Sequence, residues 1–424
     1  MREKVIMSID LKSFFASCEC VNRGLDPFST PLVVADTSRG NGAMTLAVTP
    51  YLRNKGVNSR SRVFELPKNI KIIFAKPRLK LYETYSEKVR EIFKSFISEE
   101  DIHIYSIDEV FMDVTDYLKY YKMTDIELAK TIMKTIKDKT GLTSTCGIGP
   151  NIFLSKVAMD VEAKHNKEFI AKWTFNDIET KLWNLEPLST IWGIGKNTEK
   201  KLNNLGIKKV KDINNYTRDF YIRRFGNVAG NDIWCKANGI DFTTIKDLNE
   251  RTRDKSISMS QILYRDYSKE EAILIVKEMN DMLSKKLRRM NKTTKLVYLG
   301  INYSRDLCKS FKETILLNES EDIPERIYEV LEYIYYKNIE NLPIRKVTIA
   351  YSKLSDKKCT QLSLFENNII ENDEYHKAID KINERFGQTS ILRASSLLKN
   401  STIKNRVFLC FLLLNFLVEM MLVV

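Results

Sequence analysis

Three acidic residues lie within or at the end of apolar segments, where a charge is costly. Asp10 closes the run KVIMSID at residues 4–10, and Asp108 and Glu109 lie within SIDEVF at residues 106–111. A carboxylate among apolar neighbours needs a cation or hydrogen-bond donors to offset its lost hydration. If the two segments are neighbouring strands, the three carboxylates meet and can hold two Mg²⁺ ions about 3.5–4 Å apart around a phosphate group.

The type of metal follows from ligand chemistry. Carboxylate oxygens are hard donors and the chain contains only three His, so Mg²⁺ is favoured over zinc. The seven Cys form no CxxC pair, which argues against a structural zinc site and a disulfide framework and indicates reduced thiols in a cytoplasmic protein. Each acidic segment taken alone is better explained as an ordinary hairpin or cap residue, and only the pair of segments favours a metal site.

Composition indicates a folded protein with a polyanionic partner. The 424 residues, 43% of them hydrophobic, allow about three domains and argue against disorder. Lys and Arg outnumber Asp and Glu by 68 to 55, a net charge of +13 that suits nucleic acid or an acidic membrane surface. The start, MREKVIMSID, lacks the apolar core of an export signal.

Hydrophobic spacing predicts an α+β architecture. In the first half, the strand at residues 4–10 is followed by helical patterns, and an amphipathic helix at 79–97 precedes a strand pattern at 102–114. From residue 255 to 352 the order is strand, helix, two strands, helix and strand, which is typical of a small α+β domain.

Four motifs, in this order, resemble those of the Y-family (UmuC-type) translesion DNA polymerases, closest to the Gram-positive chromosomal and mobile-element branch. They are DLKSFFASCE, YSIDEVFMDVT, CGIGPNIFLSKVAMD and WGIGKNTEKKL, and the resemblance extends from about residue 3 to residue 398. It implies a right-hand polymerase with a ferredoxin-like palm, small fingers, a helical helix-hairpin-helix thumb and an α+β little finger. The implied boundaries are palm 1–10 and 78–172, fingers 11–77, thumb 173–241, linker 242–254, little finger 255–353 and C-terminal tail 354–424.

The resemblance also implies the chemistry. Asp10, Asp108 and Glu109 would be the catalytic metal ligands, with the Leu11 carbonyl as a backbone ligand of the two Mg²⁺ ions. The reaction would be error-prone, DNA-templated addition of dNTPs to a primer 3′-hydroxyl, with release of pyrophosphate, in damage bypass and SOS mutagenesis. No segment is left for a separate 3′→5′ exonuclease domain, so proofreading is not expected.

Several residues after the first acid are assigned to the incoming nucleotide. Ser13 and Phe14 stand where a helix begins, and the backbone N–H groups of a helix N-terminus suit phosphate oxygens. Phe15 resembles the family's steric gate, which stacks under the sugar and excludes a 2′-hydroxyl. A phenylalanine that simply belongs to the core is the alternative for this position.

Three further nucleotide contacts are assigned although the register around them differs from that of many relatives. Arg53 in TPYLRNKGV matches the fingers residue that contacts the triphosphate, but Pro50 takes the place of a common Tyr and Tyr51 follows it. Relatives often carry a Lys three residues beyond the acid of VAMD, whereas Lys164 comes four residues after Asp160. We assign Arg53, Tyr51 and Lys164 to the nucleotide site.

Two basic regions are expected to bind the DNA backbone. WGIGK resembles a helix-hairpin-helix turn, in which Gly193 and Gly195 let the backbone approach a phosphate and Lys196 adds charge. Residues 251–317 carry 15 Lys and Arg against eight Asp and Glu, as expected for non-specific duplex contacts. Within that region we assign the cluster Lys285, Lys286, Arg288 and Arg289 to DNA, although cations are also favoured at any helix C-terminus.

The tail carries two distinct patterns. QLSLF resembles the pentapeptide by which bacterial polymerases bind the sliding clamp, the β subunit of DNA polymerase III, through Gln361, Leu362, Leu364 and Phe365. The chain then ends in VFLCFLLLNFLVEMMLVV at residues 407–424, which we interpret as an altered reading frame or truncation, with a membrane anchor as the lesser alternative. The expected enzyme is a monomer that binds primer-template DNA, dNTPs and the clamp, without a membrane.

Two other functions are compatible with parts of the pattern. Another palm enzyme, such as a nucleotide cyclase, would use similar carboxylates, but it does not account for the helix-hairpin-helix turn or the clamp peptide. A catalytically impaired DNA- and clamp-binding relative remains the second alternative, and the intact carboxylates argue against it.

Overall fold

A computed structural model of the protein describes residues 4–251, 256–357, 369–387 and 389–403. The chain divides into two compact units, Met1–Thr252 and Arg253–Val424. The first part of the first unit contains β1 (Ile6–Leu11), α1 (Phe14–Asn22), β2 (Leu32–Val34), β3 (Ala47–Val48), α2 (Pro50–Asn54), β4 (Ile73–Ala75), α3 (Leu79–Phe96), β5 (Ile102–Ile104), β6 (Glu109–Asp113), α4 (Tyr117–Tyr121) and α5 (Asp125–Thr140). It continues with β7 (Ser144–Gly149), α6 (Ile152–Ala158), β8 (Ile170–Lys172), α7 (Asp177–Thr180), α8 (Lys196–Asn203), α9 (Arg218–Phe225), α10 (Asn227–Ala237) and α11 (Ile245–Arg251).

The palm is a five-stranded sheet in the order β5-β6-β1-β7-β8. Its first four strands pair antiparallel, and the chain order β1, α3, β5, β6, α5, β7 is the βαββαβ pattern of a ferredoxin-like fold. Because side chains alternate along a strand, Met7 and Ile9 of β1 enter the core under α1, α3 and α5. Ile6, Ser8 and Asp10 therefore point to the opposite face. The predicted fold class is confirmed.

The helices beneath the palm sheet follow from their sequences. The buried residues of α3 recur every three or four positions, which produces one apolar face: Tyr82, Ser86, Val89, Ile92 and Phe93. Helix α5 begins at a capping box, in which Thr124 accepts a hydrogen bond from the Glu127 backbone, and it ends at Gly141 with φ +73°.

Helix α6 packs unusually close to strand β7 because two positions of that strand lack a side chain. A Cβ at Gly147 or at Gly149 would collide with the backbone of Ser155. The helix starts at Asn151, whose side chain accepts a hydrogen bond of 2.8 Å from the Leu154 backbone. This packing places the residues that follow α6 on the face of the sheet to which Asp10 points.

The fingers form a small sheet in the order β3-β2-β4 with a core of their own. That core contains Val33, Ala35, Val48, Leu52 and Leu66. Helix α1, which the sequence places within the fingers at residues 11–77, contributes its buried side chains to a cluster that contains both palm residues such as Met7 and fingers residues such as Leu32.

The thumb consists of α7 to α10 and short 3₁₀ turns around a separate apolar cluster that includes Trp173, Leu202 and Tyr221. The predicted linker at 242–254 contains helix α11, whose Ile245 is buried with Ile6, Phe111 and Ile152 of the palm. Much of that linker is therefore a helix packed on the palm.

The second unit contains β9 (Ser256–Tyr267), α12 (Lys269–Arg289), β10 (Lys292–Tyr303), β11 (Ser310–Glu321), α13 (Pro324–Asn338), β12 (Ile344–Ser352), β13 (Ser355–Asp356) and α14 (Ile369–Phe386). Its sheet has the order β11-β10-β12-β9, and β13 pairs with β10. Helices α12 and α13 cover one face, on which alternate strand residues such as Ile257, Leu299 and Ile349 are buried. On the other face, which we call the open face, the side chains are exposed or half-buried; they include Ser258, Ser260, Tyr298, Lys312, Thr314, Lys346, Thr348 and Ala350.

Candidate active site

The structure brings the three predicted acids together at one end of the palm sheet. Asp10 of β1 lies directly opposite Glu109 of β6 in the antiparallel register, so their side chains share one face. The backbone N–H of Leu11 donates a 2.9 Å hydrogen bond to the carbonyl of Asp108, which fixes that residue beside the pair. The strand pairing alone therefore creates an acidic centre.

Burial makes these carboxylates hard to ionise together. Burial raises the pKa of Asp108 to about 6, and the charge of Asp10 adds to this effect, while a 2.6 Å hydrogen bond from the Ser106 hydroxyl opposes it. Burial also raises the pKa of Glu109 to about 7, against the charge of Lys156. Added positive charge at this centre therefore stabilises the ionised carboxylates.

Two lysines supply positive charge from the segment that covers this face. Lys156 Nζ lies 2.6 Å from Glu109 Oε1, and Lys164 Nζ lies 2.7 Å from Asp10 Oδ2. Asp160 links the two lysines at 3.2 and 2.8 Å. Of these three residues, only Lys164 was predicted from the sequence to lie at the site. The spacing of four residues from 156 to 160 and from 160 to 164 is the signal for the other two.

A π-helical turn explains how Lys164 contacts Asp10 although it comes four positions after Asp160. Residues Met159–Ala163 form a π-helical turn, and the N–H of Lys164 donates to the carbonyl of Met159, five residues earlier, at 3.0 Å. Such a turn accommodates one additional residue, and π-helical turns often occur at functional sites. Lys164 thereby reaches Asp10 despite following Asp160 by four residues.

The acidic centre has the type of donor atoms that a divalent ion needs. Three carboxylates that repel one another are the hard oxygen donors that Mg²⁺ prefers. Lysine ammonium groups lie on two of them, and within the described ranges no three His, Cys, Asp or Glu side chains lie close enough to hold a metal ion as they stand. The carboxylates are therefore suitable ligands for a divalent ion. In this structure the ammonium groups of Lys156 and Lys164 neutralise two of them.

The turn after Asp10 has an uncommon backbone. Ser13, the N-cap of α1, adopts the left-handed conformation with φ 50°, and its hydroxyl is buried with no hydrogen-bond partner in the described structure. Phe14 is 3% exposed and belongs to the palm core, so only its backbone is available to a nucleotide. Phe15 is half-buried, and its ring stacks on that of Tyr82 at a centroid distance of 4.5 Å.

The two fingers residues that were predicted to contact the nucleotide differ in their surroundings. Arg53 is exposed on α2. The side chain of Tyr51 packs against the fingers core, so its assignment to the nucleotide has no support in this structure.

Lys12 is a cation that sequence analysis missed. Its Nζ donates a 3.0 Å hydrogen bond to the carbonyl of Lys164 and lies 4.3 Å from the centre of the Phe169 ring. Burial lowers the pKa of Lys12, and the charges of Arg53 and Lys164 lower it further. Lys12, Arg53 and Lys164 therefore lie close enough for their positive charges to interact, an arrangement that favours a polyanionic ligand.

The thumb turn has the geometry expected of a helix-hairpin-helix motif. Gly193 has φ +92°, a conformation that favours glycine, and Gly195 is the N-cap of α8 with open space around its Cα. Gly193, Gly195 and Lys196 are all exposed. The turn can thus present backbone N–H groups and one cation to a phosphate.

Three cations of the predicted DNA-binding cluster at the end of α12 make ion pairs with α14. Arg288 Nε lies 2.9 Å from Asp380 of α14, Arg289 Nε lies 2.9 Å from Glu384, and Lys285 Nζ lies 3.8 Å from Asp380. These cations attach α14 to α12, so the assignment of Lys285, Arg288 and Arg289 to DNA is not supported. Lys286, the fourth residue of the predicted cluster, is half-buried next to them.

Two tail predictions fall outside the described residues. These are the clamp peptide with Gln361, Leu362, Leu364 and Phe365, and the apolar end at 407–424. Across the portions of the chain that the structure describes, no helix is long and apolar enough to cross a membrane.

Sequence comparisons identify the family. Residues 9–160 match the impB/mucB/samB family, residues 176–207 match the IMS family HHH motif, and residues 254–364 match the impB/mucB/samB family C-terminal domain. The chain belongs to the impB/mucB/samB family, the UmuC-type Y-family DNA polymerases. The protein is therefore a DNA-directed DNA polymerase.

Individual relatives match over almost their whole length. The chain is 34% identical over 399 residues to the Putative UV-damage repair protein UvrX of Bacillus subtilis, covering 93% of each protein. It is 31% identical over 411 residues to DNA polymerase IV of Clostridium kluyveri, covering 94% of this chain and 99% of that protein. The structure of "Y-family DNA polymerase chimera Dbh-Dpo4(243-245)-Dbh" matches with a TM-score of 0.67 and 18% identity, covering 83% of this chain and 99% of that one.

Proposed function

We propose that the protein adds dNTPs to a primer 3′-hydroxyl on damaged DNA templates, with two Mg²⁺ ions held by Asp10, Asp108, Glu109 and the Leu11 carbonyl. The observation that carries this proposal is the cross-strand pair of Asp10 and Glu109, with Asp108 fixed beside it and cations facing it. When bound, the ions would supply activation of the hydroxyl and neutralisation of the leaving pyrophosphate.

The chain's own residues would hold the nucleotide. Lys12, Arg53 and Lys164 place positive charge where a triphosphate would approach the acids, and the first turn of α1 offers free backbone N–H groups. Phe15, which lies in this first turn, would lie under the sugar and exclude a 2′-hydroxyl. Binding of the triphosphate would draw Lys164 from Asp10, which leaves that carboxylate to its metal.

Two surfaces would bind the DNA without reading its sequence. The helix-hairpin-helix turn would contact backbone phosphates through the N–H groups near Gly193 and Gly195. In the second unit we place the contact on the open face, where hydroxyl groups and the cations Lys312 and Lys346 are accessible. The charged end of α12 is not part of this surface.

Damage bypass and clamp binding extend the proposal beyond the site. The name of the UvrX relative, a putative UV-damage repair protein, supports a role in tolerance of DNA damage, and we retain the expectation of error-prone synthesis without proofreading. The clamp peptide at 361–365 supports recruitment to the sliding clamp. Direct binding of purified clamp to the full chain, with Leu364 and Phe365 replaced by Ala, tests this second point.

Primer extension opposite an abasic site tests the catalytic proposal. Asp108→Ala should reduce extension by at least about a thousandfold, because it removes a group that both metals require. Asp113→Asn, at the far end of strand β6 from Asp108, is the matched control and should extend normally. Extension that survives Asp108→Ala would remove the assigned site.

A further inference from the structure

Glu19 is a fully buried carboxylate with four hydrogen-bond donors around it. Arg78 donates from Nε at 3.0 Å and from Nη2 at 2.6 Å, the Tyr82 hydroxyl donates at 2.8 Å, and Arg23 also donates to it. Burial alone raises the pKa of Glu19, but these hydrogen bonds outweigh it and the pKa is lowered. The carboxylate is thus an ionised, fixed anchor inside the palm.

Tyr82 connects this anchor to Phe15. The Tyr82 side chain is fully buried, and its ring lies nearly parallel to that of Phe15, at 4.5 Å and 19°. Phe14 contacts the same ring from its edge at 6.5 Å. The hydroxyl bond to Glu19 therefore fixes the plane on which Phe15 rests.

Phe15 and Glu19 are four residues apart on α1, so they lie on the same face of the helix. Tyr82, from α3, spans the gap between them. The three side chains and Arg78 form a continuous connection from a buried ion pair to the ring at the candidate sugar position. None of them is a proposed metal ligand.

We propose that Glu19 and Tyr82 are positioning residues that hold the Phe15 ring in place and thereby set the discrimination between deoxyribo- and ribonucleoside triphosphates. The inference rests on the proposed function, in which Phe15 contacts the sugar. The Phe15 ring can exclude a single hydroxyl group only if its position is fixed. That position is fixed only if Tyr82, on which the ring stacks, is itself held in place. A free Tyr82 would let the Phe15 ring move and admit the 2′-hydroxyl.

The test measures kcat/KM for one dNTP and the matching rNTP with the full chain on an undamaged template. Tyr82→Phe keeps the stacked ring and removes only the bond to Glu19, and we expect it to raise the rNTP/dNTP ratio roughly two- to tenfold, the factor that the loss of one hydrogen bond gives. Glu19→Gln should raise the ratio in the same direction. Tyr117→Phe, which removes a hydroxyl bond of 2.8 Å to Asp101 elsewhere in the palm, should leave the ratio unchanged.

Phe15→Ala separates failure of this inference from failure of the proposed function. If Phe15→Ala raises the ratio and folded Tyr82→Phe does not, the positioning role is wrong while the sugar contact stands. If Phe15→Ala leaves the ratio unchanged, the sugar contact itself is wrong. A Tyr82→Phe variant that lowers dNTP and rNTP use equally indicates a merely structural bond and also overturns the inference.

Discussion

The ammonium group of Lys164 lies 2.7 Å from Asp10 Oδ2, although 154 positions separate the two residues. The π-helical turn before Lys164 makes this contact possible. Lys164 therefore contacts the acids in the absence of a nucleotide. Together with Lys12 and Arg53, it also belongs to the cations that would bind a triphosphate.

Replacement of Lys164 by Met should weaken nucleotide binding. A charge-assisted hydrogen bond contributes about 1.5–3 kcal/mol, so KM for dNTP should rise roughly 10- to 100-fold with a smaller change in kcat. Steady-state single-nucleotide insertion measures both constants. Lys167→Met, three residues later at an exposed position, is the control. An unchanged KM in the Lys164 variant would contradict the assignment.

Phe15→Ala should increase the use of ribonucleotides. Removal of the ring opens space where a 2′-hydroxyl would lie, and we expect the rNTP/dNTP ratio of kcat/KM to rise at least about tenfold. Competition of the two nucleotides on one primer measures the ratio. Phe175→Ala, an exposed phenylalanine in the thumb region, should show the ratio of the unmodified protein.

The salt dependence of DNA binding should separate the open face from the end of α12. Loss of one phosphate contact lowers the slope of log K against log salt by about 1, so Lys312→Ala should reduce the slope. Arg288→Ala should leave the slope unchanged and lower the thermal midpoint, because it leaves Asp380 without its 2.9 Å partner. The reverse pattern would return the DNA-binding role to α12.

Acid should destabilise the second unit through Glu325. Burial alone raises the pKa of Glu325, but hydrogen bonds from His376 at 2.9 Å and Arg393 at 2.5 Å outweigh it and hold this pKa at about 2. A depressed pKa stabilises the folded state above the ordinary value of 4.5 and ceases to do so as the pH falls toward 2. Urea midpoints between pH 5 and 2 should therefore fall less in Glu325→Gln than in the unmodified protein. Glu329→Gln on the same helix is the control.

Gly147→Ala should destabilise the palm. The new Cβ would collide with the backbone of Ser155, and overpacking of this kind costs about 1–3 kcal/mol. Gly42→Ala, where a Cβ meets open space, should change the urea midpoint little. Equal midpoints for the two variants would show that α6 can move away from β7.

The sequence revealed the acids because a carboxylate inside an apolar strand is conspicuous, and strand pairing then brings the acids together. It did not reveal Lys12, because the groups that define its environment come from residues 53 and 164. Nor did it reveal the partners of Arg288, since Asp380 lies 92 positions later on a helix whose packing has no local signal. Local patterns thus predicted the strands, and long-range ion pairs decided which cations face a ligand.

The cross-strand pairing of Asp10 with Glu109 has a consequence for changes of chain length. One residue added to or removed from β1 before Asp10 would shift the register and send this carboxylate to the α3 side of the sheet, away from its partner. The segment after α6 differs in this respect, because its π-helical turn at Met159–Ala163 can hold one additional residue and still direct Lys164 to Asp10. Insertions and deletions among functional relatives should therefore be found in the segment after α6 and not in the central strands β1 and β6.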